Sequence, residues 1–330
     1  MNCLYTDYRQ DDPRERAKTD KIAIGSWAYI MGYYNDDPIP LETVAEKLGE
    51  LEYDGIELCG HRPHAHPLDY PTKQERSDLL SMIRGHGLGI SGYLPDLQGL
   101  PILTSSHESI TRKYLRVFEA NLEFCADLDI KTIRVDEGGS WFRLKAENAP
   151  QITMSQVDYK NTWGKLVSIW KDCARGAKDY GVTTLWEFEP TDTFNKPGEI
   201  IRLIDEIGLP NFKGSLETMH AHLICSLGAL QRPPLDIVKG GLTEFIRLLN
   251  DRIAHIHLTD SDNTFQHGIF GNKKMPGEGI LNFDEIMQTL KAVGYRSEWW
   301  TIDLLFQPVA WDMTRRAAEF AKALLRKYYL

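Results

Sequence analysis

Long apolar stretches are missing from this chain of 330 residues. None approaches the roughly 18 residues that a helix needs to span a bilayer, so the sequence excludes a membrane-spanning protein. The amino terminus also lacks the apolar core of a secretory signal. Basic blocks are missing too: 38 Lys and Arg are scattered among 47 Asp and Glu, and the net charge of −9 repels nucleic-acid phosphates and anionic lipid. We therefore expect a cytoplasmic protein that has neither nucleic acid nor a membrane as a partner.

Cysteine is scarce, and its pattern indicates no site. The cysteines lie far apart, form no Cys-x-x-Cys pair and are odd in number, which excludes complete internal disulfide pairing and argues against a structural zinc: Cys3, Cys59, Cys125, Cys173 and Cys225. No Gly-x-Gly-x-x-Gly follows the first predicted strand, so a dinucleotide cofactor is not indicated. The cysteines are expected to be reduced and mostly buried.

Short β-branched or aromatic runs alternate with longer stretches of helical periodicity, and the alternation repeats about eight times. Both a closed barrel and an open doubly wound sheet fit this pattern. The count of eight, and the polar residues at predicted strand ends, favour a single (β/α)₈ TIM barrel over residues 21–330, preceded by an N-terminal arm of residues 1–20. The predicted strands are Ile22–Ser26, Gly55–Leu58, Gly89–Tyr93, Thr132–Val135, Thr183–Phe188, Phe212–Leu216, Ala254–Leu258 and Trp299–Leu304.

Acidic and imidazole side chains end the last four predicted strands. Because the carboxyl ends of parallel strands meet at one rim of a barrel, these side chains are expected to converge there. Carboxylate oxygens with an imidazole nitrogen favour Mn²⁺ first, and Mg²⁺, Co²⁺ or Zn²⁺ as alternatives. The sequence therefore predicts a divalent-metal site whose ligands are Glu189, Glu217, His257 and Asp303.

The segment that contains Glu187 and Glu189 leaves a choice, since strand alternation points both side chains to the same face. Either could bind the metal. We assign Glu189 to the metal, because it lies at the extreme strand end, and Glu187 to catalysis. The same alternation puts His255 on the face of His257, one layer deeper.

Other residues complete the predicted site. A Pro-rich loop after the second strand carries His61, His64 and His66, which we expect to act as acid and base or to bind a second metal. Arg134 and Asp136, near the end of the fourth strand, are expected to pair with each other. The residues expected to contact the substrate are His255, Asp260, Trp27 and Trp300.

These stretches together resemble the sugar isomerase and epimerase superfamily of xylose-isomerase-like barrels, over nearly the whole chain. They are Gly55-Ile56-Glu57-Leu58, Ile133-Arg134-Val135-Asp136, Trp186-Glu187-Phe188-Glu189-Pro190, Glu217-Thr218-Met219-His220-Ala221, His255-Ile256-His257-Leu258-Thr259-Asp260, Gly277-Glu278-Gly279 and Trp300-Thr301-Ile302-Asp303. The resemblance implies four ligands around one metal, and a substrate contact at His220. This chain has Glu217 where the family usually has Asp, and Asp303 where Glu is common.

Within the superfamily, the chain looks most like a branch that includes catalytic subunits of C-glycoside deglycosidases, which act on 3-keto sugars. The resemblance implies proton removal next to a carbonyl, an enediolate and loss of an aglycone from a 3-oxo-C-glycoside, with a smaller β subunit as partner and homo-oligomerisation. The alternatives are an isomerase or epimerase of free keto sugars, and a metal-free sugar-binding barrel.

Overall fold

The structure, a computed structural model, describes residues 20–97, 99–103, 107–137, 159–264, 272–307 and 310–329. Eight parallel strands close into a barrel in the order β1-β10-β7-β6-β5-β4-β3-β2. The barrel strands are β1 Lys21–Gly25, β2 Gly55–Cys59, β3 Gly89–Leu94, β4 Thr132–Val135, β5 Thr183–Glu187, β6 Phe212–Glu217, β7 Ile253–Leu258 and β10 Trp299–Ile302. The TIM-barrel fold class is confirmed, and every predicted strand is present within two residues of its expected ends.

Helices separate the strands and cover the outside of the barrel. They are α1 Leu41–Glu50, α2 Lys73–Gly85, α3 Glu108–Asp127, α4 Tyr159–Asp179, α5 Pro197–Ile207, α6 Thr218–His222, α7 Gly241–Leu249, α8 Phe283–Ala292 and α9 Ala310–Tyr328. Short 3₁₀ turns cover Ser26–Tyr29, Gly32–Tyr34, Pro67–Asp69 and Asn250–Arg252, and a π-helical turn covers Leu223–Leu227. After β7, a two-stranded antiparallel hairpin pairs β8 Asp260–Ser261 with β9 Lys273–Lys274.

Strand alternation decides which side chains reach the barrel interior. In β10, Thr301 points inward, where its hydroxyl lies 3.2 Å from His255 Nε2. The neighbouring Trp300 therefore points outward and is fully buried against Tyr295 and Tyr329, with ring centroids 5.5 and 4.9 Å away. The prediction that Trp300 contacts the substrate is wrong, because the residue belongs to the layer between barrel and helices.

The base of the barrel is filled by Trp299, the inward neighbour of Thr301 in β10. A methyl group added at Gly55 would lie 2.5 Å from its ring, and one at Gly89 would lie 2.9 Å from it. Glycine at these two strand starts leaves the space that the indole occupies. The indole thus occupies the space between the starts of β2 and β3.

Other expectations concern the termini and the thiols. Cys59, Cys125, Cys173 and Cys225 are buried free thiols, as predicted, and Cys3 lies outside the described residues. The predicted arm also lies outside them, except for Asp20, whose carboxylate accepts a hydrogen bond from Trp300 Nε1 at 3.4 Å. Within the described part of the chain, no helix has both the length and the apolar character needed to cross a membrane.

The packing of Trp299 predicts the effect of filling the space beside it. Gly55→Ala should lower the free energy of unfolding by about 1–3 kcal/mol, because the new methyl group must displace the indole. Gly164→Ala in α4 is the matched control: the position is exposed and open, and alanine should leave stability unchanged or raise it by up to about 1 kcal/mol. Urea unfolding measures both, and equal midpoints for the two variants would contradict this account of the barrel base.

Candidate active site

A cavity opens at the C-terminal rim of the barrel. Its wall is mainly polar and charged. The lining residues are Trp27, Met31, His61, Leu94, Arg134, Asp136, Glu187, Glu189, Asp192, His220, Lys273, Asp303 and Leu305. Most of them follow the ends of β1, β2, β4, β5, β6 and β10, so the expectation of a polar rim site agrees with the structure.

Glu187 and Glu189 both reach this cavity from the end of β5. Arg134 of β4 contacts the Glu187 carboxylate and lies 3.5 Å from Glu189 Oε1. Burial alone would raise the pKa of Glu187, but the charges of Arg134 and His257 outweigh it and hold the pKa below its usual range. Burial and the neighbouring Glu187 carboxylate raise the pKa of Glu189 to about 8. The two glutamates thus differ in environment, although the sequence places them on one face.

His257 lies between two carboxylates at the end of β7. Its Nδ1 is 3.2 Å from Glu187 Oε2, and its Nε2 is 3.0 Å from Glu57 Oε2. Burial would lower the pKa of His257, but the carboxylates of Glu57 and Glu187 raise it to about 10. Both ring nitrogens thus face a carboxylate, Nε2 that of Glu57 and Nδ1 that of Glu187. Glu187, and not Glu189, is therefore the β5 acid that meets the predicted metal ligand of β7.

Glu57 is a functional residue that the sequence reasoning missed. It is 1% exposed, and its Oε2 also accepts a hydrogen bond from His255 Nε2 at 2.8 Å. The signal was available in β2, because alternation from Gly55 points Glu57 into the barrel at the level where His257 arrives from β7. A carboxylate that holds the far nitrogen of a ligand histidine fixes its tautomer and its ring orientation.

His255 lies below the cavity and does not line it. Its Nε2 is shared between Glu57 and the Thr301 hydroxyl, and the side chain is 2% exposed. This position does not suit the substrate contact that the sequence predicted. The residue supports Glu57, and through it His257.

Glu217 and Asp303 converge at the same rim from β6 and β10. One oxygen of Glu217 accepts the backbone N–H of His220 and so caps helix α6. Asp303 Oδ1 accepts hydrogen bonds from Trp27 Nε1 and from the Leu305 backbone, both at 2.8 Å. Trp27 thus lines the cavity, as predicted, and it also orients an acid.

Lys273 is a second residue that the sequence reasoning missed. It comes from β9 of the hairpin, and its ammonium contacts the Asp303 carboxylate and lies 3.2 Å from Glu217 Oε1. No periodic pattern points to it, because a short hairpin strand outside the barrel has no fixed relation to the rim. His220, predicted to bind substrate, lines the cavity with its Nδ1 3.6 Å from Glu187 Oε1.

Asp260 has a structural role instead of the predicted contact with substrate. Its Oδ2 accepts the backbone N–H groups of Gly277 and Gly279 at 3.0 and 2.9 Å. Its Oδ1 accepts those of Leu281 and Ser261 at 3.0 and 2.8 Å. With both oxygens used and full burial, Asp260 is not among the residues that line the cavity. It fixes the segment that follows the hairpin.

The three loop histidines have separate environments. His61 lines the cavity, with its Nδ1 3.5 Å from Asp96 Oδ2. His64 is buried with its Nε2 2.8 Å from the Ile39 carbonyl oxygen, and burial lowers its pKa to about 4. His66 Nδ1 accepts the Leu68 N–H at 3.2 Å and caps a 3₁₀ turn. The catalytic assignments of His64 and His66 are corrected, because loop geometry points both rings away from the cavity.

The donor set can be tested against a divalent cation. Ligand atoms of Glu187, Glu189 and His220 lie within 4.8 Å of one another, and so do those of Glu57, His255 and His257; among the described residues, Glu217 and Asp303 belong to neither group. Glu217 Oε1 and His257 Nδ1 are buried, and among the described residues they form no hydrogen bond. Oxygen and imidazole donors with unused capacity fit a hard or borderline cation, provided that Lys273 gives way at Glu217 and Asp303.

The hydrogen bonds of Asp260 predict a large effect on stability. Asp260→Ala leaves four backbone N–H groups without their acceptor, of which that of Ser261 belongs to a buried residue and those of Gly277 and Gly279 to exposed ones. A buried N–H without an acceptor costs about 1–3 kcal/mol, and we expect unfolding to become easier by about 2 kcal/mol. Glu278→Ala, in the segment that Asp260 holds, is the control and should change stability by about 0.5 kcal/mol or less, because Glu278 makes only an exposed ion pair. Chemical denaturation measures the free energy of unfolding of both variants. If Asp260→Ala loses as little of it as Glu278→Ala does, this structural role is refuted.

Comparison with known proteins agrees with this architecture. Residues 44–324 match the family described as the xylose isomerase-like TIM barrel. The fructoselysine 3-epimerase of Escherichia coli O157:H7 is 22% identical over 294 residues, which cover 87% of this chain and 94% of that protein. The D-psicose 3-epimerase of Enterocloster bolteae is 23% identical over 253 residues, covering 76% and 72%. A crystal structure of D-psicose 3-epimerase from Clostridium cellulolyticum H10 superposes with a TM-score of 0.68 at 17% identity, covering 94% of this chain and 99% of that one. The chain belongs to the xylose isomerase-like TIM barrel family.

Proposed function

We propose that this protein is a divalent-metal-dependent isomerase or epimerase of ketose sugars, with epimerisation next to the ketone carbonyl as its main reaction. The observation that carries the proposal is a cavity at the C-terminal rim lined by Glu187, Asp303, Glu189 and His61. Beside it, His257 contacts Glu187, and Lys273 joins Glu217 to Asp303. The names of the relatives, fructoselysine 3-epimerase and D-psicose 3-epimerase, support a ketose substrate. Both of these relatives are named as enzymes.

Four residues would hold the metal: Glu187, Glu217, His257 and Asp303. Glu187 replaces Glu189 of the sequence-based set, because it is Glu187 that faces His257. Bound there, a divalent cation would offset the negative charge that develops on sugar oxygens when a neighbouring C–H bond loses its proton. We propose Mn²⁺, since the donors are three carboxylates and one imidazole.

Glu189 is the proposed base that removes the C–H proton. Its backbone N–H donates to Asp192 Oδ2 at 2.9 Å, and the same oxygen accepts Trp186 Nε1 at 3.1 Å. Its own Oε2 accepts the Thr191 hydroxyl at 3.2 Å. These contacts hold the carboxylate against the cavity. A base must be positioned before it can act, and this anchoring supplies the position.

An epimerase must return the proton to the opposite face of the carbon from which it came. We propose His61 for that step, since it enters the same cavity from the loop after β2, whereas Glu189 enters after β5. Arg134 and His220, which line the cavity beside Glu187, would then hold sugar oxygens. Trp27 would offer its ring to the apolar face of the sugar.

The resemblance to C-glycoside deglycosidases implied cleavage of a 3-oxo-C-glycoside. That reaction and the epimerisation of a ketose both begin with removal of a proton next to the carbonyl. None of the three relatives named above carries such an activity in its name. We therefore keep elimination as an outcome of the test. The smaller β subunit belongs to that reaction and stays a prediction with it, as does homo-oligomerisation.

The test is incubation of Mn²⁺-loaded protein in deuterated water with D-fructose, D-psicose or fructoselysine, and separately with a 3-oxo-C-glucoside. We expect deuterium at the carbon next to the ketone and an inverted configuration there, read by NMR. Glu189→Gln should lower kcat by about 10²–10⁴-fold, the usual contribution of a positioned base. The control is Glu244→Gln on the exposed face of α7, which should keep full activity.

Two outcomes would overturn the proposal. Release of the aglycone without turnover of any ketose would replace epimerisation by C-glycoside cleavage. An absence of exchange with every substrate, for protein shown to bind Mn²⁺, would refute proton-transfer chemistry at this site.

A further inference from the structure

A buried ammonium lies between two of the proposed metal ligands. Lys273 is 4% exposed, and its Nζ contacts the Asp303 carboxylate and is 3.2 Å from Glu217 Oε1. Asp303 is at the end of β10 and Glu217 at the end of β6, so a hairpin lysine joins two strands that are not neighbours in the barrel. The contact crosses the place where these two acids face each other.

The charges at this place explain why the lysine is held there. Glu217 and Asp303 are 0% and 3% exposed, and buried carboxylates are costly unless a positive charge is close. Lys273 supplies that charge from inside the chain. A divalent cation that bound to the same oxygens would also neutralise them, and it would then repel an ammonium that stayed in contact.

The hairpin backbone is fixed, so that only the side chain is free to move aside. The Lys273 carbonyl oxygen accepts Gln307 Nε2 at 2.9 Å, and Lys273 pairs with Ser261 in the antiparallel hairpin. Asp260, next to Ser261, holds the segment after the hairpin by hydrogen bonds to Gly277 and Gly279. Four methylene groups separate this anchored backbone from the charge, and rotation about their bonds can carry the ammonium away from the two acids.

We propose that Lys273 is an internal cation that competes with the divalent metal for Glu217 and Asp303. In the metal-free protein it stabilises the two acids, and metal binding requires that it withdraw. This inference rests on the metal dependence of the proposed function and adds a positioning residue to it. The consequence is a protein that stays folded without metal and binds metal less tightly than its donor set alone would allow.

The experiment titrates Mn²⁺ by calorimetry into chelator-treated wild-type protein and Lys273→Met. We expect the variant to bind Mn²⁺ at least about tenfold more tightly, because the competing charge is gone. In chelator, its melting temperature should fall below that of the wild type, and Mn²⁺ should restore it. Lys274→Met is the matched control, since Lys274 is the next hairpin residue and is 3.7 Å from Asp262, outside the cavity; both its affinity and its melting temperature should equal those of the wild type.

Lys273→Gln and Lys273→Arg keep the test decisive if Lys273→Met does not fold. The glutamine variant should bind Mn²⁺ more tightly than the arginine variant, which retains the positive charge. If the neutral variants bind Mn²⁺ no more tightly than the wild type and still exchange deuterium into a ketose, the competition between Lys273 and the metal is refuted and the proposed function is not. A lack of Mn²⁺ binding by the wild type and by every variant would remove the metal from the proposed function and the competition with it.

Discussion

The arrangement of the site depends on the negative charge that is buried at the barrel rim. Besides Asp136 and Asp192, which line the cavity, five carboxylates lie in this largely buried region, and each must be balanced locally because little water reaches it. The positive groups come from separate elements, so the balance joins parts of the chain that are distant in sequence. The acids are Glu57, Glu187, Glu189, Glu217 and Asp303, and the positive or hydrogen-bonding partners are Arg134, His220, His255, His257 and Lys273.

The contacts among these groups fall into two clusters. On one side, Glu57 holds His255 and His257, and His257 reaches Glu187, which Arg134 also contacts. The other side consists of Glu217, Asp303 and Lys273. A cation at this rim would touch both clusters, whereas the lysine touches only the second. In the first cluster protein groups balance the charges, but Glu187 Oε2 and His257 Nδ1 form no hydrogen bond among the described residues. In the second cluster, Lys273 and a metal would neutralise the same two acids.

Much of the fold was predictable from the sequence, since β-branched and aromatic runs located the eight strands, as the structure confirms. Parallel strands bring their carboxyl ends to one rim, which is why Glu187, Glu217 and His257 were expected to lie near one another; in the structure His257 contacts Glu187, and Glu217 contacts Lys273. The rule of strand alternation, applied backward from Asp303 through Thr301, would have turned Trp300 outward. Lys273 escaped prediction because alternation says nothing of a short hairpin strand outside the barrel. It also says nothing of the loop after β2, whose path sends His61, His64 and His66 to three different environments. Glu57 was within reach of the rule and was overlooked.

Fold and family do not by themselves select one reaction, since a barrel supports many chemistries at the same rim. Two unlike groups in the cavity, the Glu189 carboxylate after β5 and the His61 imidazole after β2, favour proton transfer over the other reactions that this rim could support. Further acids lie beside them. Proton removal next to a carbonyl uses all of them.

Diffraction from Mn²⁺-soaked crystals, recorded on both sides of the manganese absorption edge, tests the central claim most directly. The account predicts one anomalous peak within coordination distance of Glu187, Glu217, His257 and Asp303. A peak that lies elsewhere, or no peak in crystals whose Glu217 and Asp303 still contact Lys273, would contradict it.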